Sequence, residues 1–395
     1  MKKKINSCYC FFFLCTLLHI GFSNSGLCKN ENASDNYKLQ AIINNAIKNN
    51  IDAVFPKGIY KITKPLVIPN SINIIANANC SITQLTENTP ILVANSVSNV
   101  SIRNLILIGV GNYTSLKKRA YSKHEIGIDF TNCTKIIIEN SKFINFSYSA
   151  ISISGGSNIK IQGNYIEGTH LKGTKLNKMD NYQFGICLTV TPIANKLTDI
   201  QISNNEICYT NQGIITSQGK TGLTSKISIS NNFIHHIIGQ HGLYISTSNT
   251  TIENNKVEWA GLEGIKIQAA HCNLENIIIK KNNVKNCVNS QAFNITEINN
   301  GLNKITNVKL IDCSAYNCAR GINLSGRLDN ILIKNIIIDS TSKQYGLCIQ
   351  TEMANNILFD SIKIKRTKQA PIFIVSKQNQ KIEFKNININ SKISP

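Results

Sequence analysis

An imidazole, a phenol, a carboxylate and an ammonium fall in two short stretches of this chain that share one frame. Gly239-Gln-His-Gly-Leu-Tyr-Ile245 carries His241 and Tyr244, and Gly261-Leu-Glu-Gly-Ile-Lys-Ile267 carries Glu263 and Lys266. In each, a polar residue precedes a glycine, followed by an apolar, a variable and another apolar residue. Extended along the chain, the position before the glycine reads Phe184, Gln212, His241, Glu263, Gln291, Arg320, Tyr345. The variable position reads Cys187, Ile215, Tyr244, Lys266, Asn294, Asn323, Cys348. If the repeats stack, members of one series are neighbours, and polar character peaks at the same two repeats in both. The expected patch is His241, Tyr244, Glu263 and Lys266 on an outward face, bordered by Gln212, Gln268, Asn294 and Arg320. A third series, Tyr209, His236, Trp259, adds the only tryptophan, whose ring could stack on a sugar face.

Such a patch suits an acidic sugar. Lys266 and Arg320 could bind a uronate carboxylate, the guanidinium bidentately. Neutralising that carboxylate acidifies the C5 proton, and His241 or Tyr244 could then serve as base or acid for β-elimination or C5 epimerisation. Glycoside hydrolysis needs two suitably separated carboxylates instead. Glu263 is one; Glu258, Glu297 and Asp129 are possible partners, but none shares its series. A single histidine or tyrosine on an outward face is usually inert, so the coincidence of two series is what marks the patch. No metal ligand set is visible, since no dense acidic cluster offers the oxygen ligands calcium requires.

These residues need a scaffold that places distant segments directly above one another. A second register, apolar-x-apolar-x-Asn, recurs as Val100 to Asn104, Ile136 to Asn140, Ile200 to Asn204 and Ile227 to Asn231, among others. Period-two alternation marks strands with one buried face. Asparagine at the turn suits a ladder of stacked amides and tolerates left-handed backbone. Successive glycine-position residues, from Gly127 to Pro371, lie 22 to 35 residues apart. That spacing predicts an all-β, single-stranded right-handed parallel β-helix of about a dozen rungs, roughly 50–60 Å long. A solenoid buries each rung against its neighbours, so residues 71–395 are expected to form one domain. Longer gaps from Asn104 to Gly127 and from Gly163 to Gly185 predict two loops on the side of His241 and Glu263. Both are basic, with Lys117, Lys118, Arg119, Lys123 and His124 in one and Lys172, Lys175 and Lys178 in the other, and would wall a groove.

Residues 26–70 are expected to hold a polar linker, a capping helix and the first strands. Leu39, Ile42, Ile43, Ala46 and Ile47 have helical spacing between Tyr37 and Asn49, with Ser34 or Asp35 as cap. Residues 1–25 read as a secretory signal: basic Lys2 to Lys4, an apolar run from Cys8 to Phe22 too short to span a bilayer, then Ser23-Asn24-Ser25. No later segment is apolar enough for a membrane helix, so an exported, soluble chain is expected. The formal charge of +20 falls to about +17 without those three lysines. This excess favours acidic polysaccharide or cell-surface glycan; no nucleic acid is expected. Hydrophobic residues make up 42%, ample for a core, while only 16% are charged, so Asn, Ser and Thr must cover the surface. Of 13 cysteines, Cys8, Cys10 and Cys15 leave with the leader. Cys287 and Cys318 fall at the same place in successive repeats, where strand spacing permits either a disulfide or two stacked thiols.

The run of helix, Val54-Phe-Pro-Lys-Gly-Ile-Tyr60 and apolar strand resembles the opening of the pectate-lyase-like superfamily of right-handed β-helices, where the helix plugs the end of the coil. More narrowly, Gln240-His-Gly-Leu-Tyr-Ile-Ser246 followed by Gly264-Ile-Lys-Ile-Gln268 resembles two rungs of the polygalacturonase family of glycoside hydrolases. That resemblance sets His241 at the family's active-site histidine, and Lys266 and Gln268 at its substrate-binding arginine and lysine. The family's catalytic aspartates belong on the two preceding rungs, where this chain has Phe184, Asn211 and Gln212. The superfamily likeness also makes Ca2+ a possible cofactor. A lyase or C5-epimerase acting on a uronate-containing glycan is thus the leading expectation. A non-catalytic adhesin-like module and a glycoside hydrolase are the alternatives.

Overall fold

The computed structural model of the chain describes residues 34–111, 125–168, 183–194, 196–298, 302–376 and 381–390. The predicted leader and both basic insertions lie outside them. Every strand pairing is parallel, and between the first and last turns each strand bonds to its counterparts one turn earlier and one turn later. The coil is a right-handed parallel β-helix with three walls. Wall A includes Phe184–Thr189, Gln212–Ser217, Leu243–Ser246, Ile265–Ala269 and Gln291–Glu297. Wall B includes Lys196–Ser203, Leu223–Ser230, Thr250–Glu253 and Leu274–Lys280. Wall C includes Glu206–Cys208, Phe233–Ile237, Lys256–Ala260 and Asn283–Lys285.

The apolar residues of both registers stack into one core. On wall A, Ile214, Leu243, Ile265, Phe293 and Ile322 form a continuous buried column. Ile229, Ile252 and Ile279 do the same on wall B, and Ile234, Val257 and Val284 on wall C. The glycine series exists because backbone crowds the corner into wall A. A Cβ on Gly213 would stand 2.3 Å from the Gly242 carbonyl oxygen.

The amide ladder lies one residue beyond its expected place. Asn204, Asn231 and Asn254 do take left-handed backbone, with φ of 56°, 56° and 54°. The buried ladder is built by the next residues, Asn164, Asn205, Asn232, Asn255 and Asn282. Each Nδ2 of the first four donates to the following Oδ1 at 2.9–3.0 Å. Each Oδ1 also accepts the backbone N–H of the rung before, as from Asn205 N to Asn232 at 3.0 Å. The left-handed residue turns the chain so that its successor points inward, which pattern alone does not reveal. Asn232→Ala should therefore cost about 3 kcal/mol, because it orphans buried donors on Asn205. Asn231→Gly should be close to neutral, since glycine adopts that φ freely. Thermal melts of the two variants check the contrast.

At the N-terminal end, a helix of Asn36–Asn49 lays Leu39, Ile43 and Ala46 over the first rung. It covers core side chains that an open stack would expose. Asp35 stands at the N-cap without a side-chain capping bond; its carboxylate instead accepts Lys61 N–H at 2.8 Å, tying the helix to a strand. Among the described residues no helix is long and apolar enough to cross a membrane.

Candidate functional site

Stacking brings the predicted series together on wall A. Tyr244, Lys266, Asn294 and Asn323 occupy successive rungs of the variable series. His241, Glu263 and Gln291 follow one another in the corner before it, each passing a carbonyl to the glycine amide of the preceding rung. Arg320 pairs with Gln291 one rung further. Glu263 is the hub. Its Oε2 lies 2.6 Å from His241 Nδ1, and its Oε1 accepts Asn294 Nδ2 at 2.9 Å and Gln291 Nε2 at 3.1 Å. Lys266 Nζ stands 3.8 Å from Oε1 and 5.9 Å from the centre of the Tyr244 ring. The Tyr244 ring stacks over His241 with centroids 5.5 Å apart. Asn323 Nδ2 extends the network by donating to Asn294 Oδ1 at 2.9 Å.

The His241–Glu263 approach is short, and neither of the two atoms has another polar partner. Burial holds the imidazole below the usual histidine range, against the pull of Glu263. The ring is therefore neutral near pH 7, with the Nδ1 proton facing the carboxylate and the lone pair on Nε2. Burial would raise the Glu263 carboxyl, but hydrogen bonding and charge from His241 and the Lys266 ammonium overcome it, holding it at about 2. Ionised Glu263 is thus an orienting group, unsuited to donate a proton as a hydrolytic acid.

Both shifts make the fold acid-sensitive. The stabilisation from Glu263 is full above its ordinary value of 4.5 and is lost as pH falls towards 2. The unfolded chain takes up the histidine proton near 6.5, before the folded one, so acidification below that value also favours unfolding. The melting temperature should fall more steeply between pH 7 and pH 3 in the native chain than in a His241→Gln/Glu263→Gln double variant.

Several expectations are corrected. The patch is not an open outer surface: His241 is only 5% exposed and Glu263 7%, and Gln212, Gln268 and Asn294 are buried as well. The corner folds these side chains against the wall, leaving Lys266, Tyr244 and Arg320 partly exposed. Tyr209, His236 and Trp259 do align, at left-handed corners with φ of 55°, 52° and 58°. Their rings stack on one another, at 5.3 and 6.4 Å between centroids. His236 thus engages one face of the Trp259 ring at the end of the ladder, while the residue stays 48% exposed. Cys287 and Cys318 are stacked, buried thiols without a disulfide, as are the other described cysteines free. Asp129 belongs to the variable series but four rungs from Tyr244, through Ser152, Cys187 and Ile215. Glu258 faces out from wall C between His235 and Lys285, and Glu297 pairs with Ala269 at the far end of wall A. None meets Glu263.

Gln291 and Asn323 are the functional candidates that sequence reasoning passed over. Both stood in the two series, and a search for polar residues flanking the patch would have found them. Among the described residues no group of three or more His, Cys, Asp or Glu could hold a metal. Both Glu263 oxygens are already occupied by neighbours, so the calcium allowed by resemblance finds no seat at this site.

No protein-family profile matches the sequence, and no curated protein matches it. Solved structures do. PfbA, a surface adhesin of Streptococcus pneumoniae, aligns with a TM-score of 0.63 at 16% identity, over 91% of this chain and 88% of its own. The A-module of the Azotobacter vinelandii mannuronan C-5 epimerase AlgE4 gives 0.55 at 14%, over 89% and 96%. An exopolygalacturonase from Thermotoga maritima gives 0.53 at 12%, over 90% and 88%. These likenesses show the fold, a right-handed parallel β-helix. At such identities the likeness reaches the scaffold and leaves the chemistry to the side chains.

Proposed function

We propose that this chain acts on a uronate-containing polysaccharide by removing the C5 proton of a bound sugar. The observation that carries the reading is the buried imidazole of His241, oriented by Glu263, on the same wall as Arg320 and three rungs from it. No carboxylate among the described residues pairs with that guanidinium. Arg320, with Lys266, Asn294 and Asn323, takes the sugar carboxylate and stabilises the charge that develops when C5–H breaks. The proton passes to His241 Nε2. In β-elimination the electron pair forms the C4=C5 bond, the C4–O4 bond breaks, and the leaving oxygen takes a proton from the Tyr244 hydroxyl. In epimerisation C4–O4 stays intact, solvent water gives a proton to C5 from the opposite face, and the resulting hydroxide takes back the proton held on His241. Hydrolysis is less well supported, because Glu263 is ionised and, among the described residues, no second carboxylate is paired with it. The leader expected from the sequence supports a site of action outside the cytoplasm.

A second reading is a non-catalytic glycan-binding module. The low exposure of His241 favours it, as does the likeness to a surface adhesin. One experiment separates the readings. The purified chain is incubated in D2O with a panel of uronans, following ultraviolet absorbance of unsaturated uronate and deuterium at C5. Elimination gives absorbance, epimerisation gives deuterium without it, and binding with neither leaves the module reading.

A further inference from the structure

At the corner from wall C to wall A, successive turns place one left-handed residue above another. Tyr209, His236 and Trp259 are followed in that column by Asn286, Asn317 and Ser340, all with φ of 49–61°. Everywhere else among the described residues, left-handed backbone is taken by Asn, Asp, Ser, Lys, Arg or Gly. A bulky ring strains that backbone, and strain of this kind collects where a ligand is held. The ring stack ends at Trp259. His236 covers one face of the indole, offset by 6.4 Å between centroids, while the next residue on the other side is the short amide of Asn286. The indole reaches past that amide and stays half-exposed. Asn286 Oδ1 accepts Asn317 Nδ2 at 2.8 Å, but among the described residues neither Asn286 Nδ2 nor the indole N–H meets an acceptor. Lys285, directly before Asn286, faces out from wall C beside Glu258, whose carboxylate is held by Lys256 at 3.1 Å. The Lys285 ammonium lies 5.6 Å from the Tyr316 ring centre, with no carboxylate at ion-pair distance among the described residues.

We propose that the free face of Trp259 and the Lys285 ammonium bind one uronate residue of a polysaccharide, separate from the sugar that meets His241. The C–H face of a pyranose is apolar and lies flat on an indole, while its rim of hydroxyls needs hydrogen-bond partners. The indole N–H at the ring edge and Asn286 Nδ2 supply donors. The ammonium takes the sugar carboxylate, which favours an acidic residue over a neutral one. Trp259 stands four residues before Glu263 in the same turn, so this subsite lies one corner away from Lys266 and Tyr244. Its ligand follows from the function proposed above, on which this subsite rests.

Trp259 is the single tryptophan, so intrinsic fluorescence reports on this position. Titration with oligouronates should give a saturable change in emission, and neutral oligosaccharides of equal length a weaker one. By calorimetry, Trp259→Asn should bind oligouronates about tenfold more weakly. Its melting temperature should match or exceed the native value, because asparagine fits the left-handed corner. A merely structural ring would show the reverse, a lower melting temperature with affinity intact. Lys285→Gln should weaken oligouronate binding about threefold and narrow the gap to neutral glycans. Calorimetric binding without an emission change overturns the proposal, as do affinities unmoved in both variants, equal binding of neutral glycans, or no binding at all. Turnover of uronan with silent emission sinks this subsite and leaves the His241 chemistry standing; an emission change without turnover does the opposite.

Discussion

His241→Ala is expected to lower uronan turnover by about 10²- to 10⁴-fold, the usual contribution of a positioned general base. The loss should fall on kcat, since the imidazole meets the substrate at the proton it removes. Arg320→Ala should act differently, raising KM more than it lowers kcat, because a guanidinium binding a ground-state carboxylate contributes to both states. Glu263→Gln keeps the shape of the hub but removes its charge, so the base loses its orienting partner. An intermediate loss is expected, with the pH profile of kcat/KM displaced. A merely structural role for Glu263 would lower the melting temperature and leave that profile in place. Turnover unchanged in His241→Ala would end the proposed chemistry and leave the glycan-binding reading standing.

The second large effect concerns what holds the wall in place. Phe293 is fully buried, stacked between Ile265 and Ile322 and directly preceding Asn294 in the strand. Phe293→Ala removes most of a ring from a close-packed column and leaves a cavity that neighbouring rungs can only partly fill. A loss of about 3–5 kcal/mol is expected, measured by denaturant unfolding. Because each rung is supported only by its neighbours, the damage should concentrate around this turn. Hydrogen exchange should show lost protection first at Ile265–Ala269 and Gln291–Glu297. The hub should loosen with it, since Asn294 holds Glu263 from the same strand.

The order of the residues in the two series was fully legible in the sequence. Leu243 above Ile265 above Phe293, and Tyr244 above Lys266 above Asn294, follow from alternation and repeat length, because strand side chains point to opposite faces. The helix over the first rung was equally legible, its apolar spacing matching Leu39, Ile43 and Ala46. The ladder was legible only in kind. Asparagine at the turn marks both a left-handed residue and an amide donor, and only backbone dihedrals show that Asn231 takes the first part and Asn232 the second.

What the chain's linear order determined, then, was the scaffold and the neighbours within each column, since both depend on short-range periodicity. The tertiary structure decided how deep those neighbours lie and to whom they bond. Burial of His241 and the engagement of both Glu263 oxygens by His241, Lys266, Gln291 and Asn294 depend on how the corners fold back against the wall. Those are properties of the assembled surface, set by contacts between rungs, and no single repeat contains them.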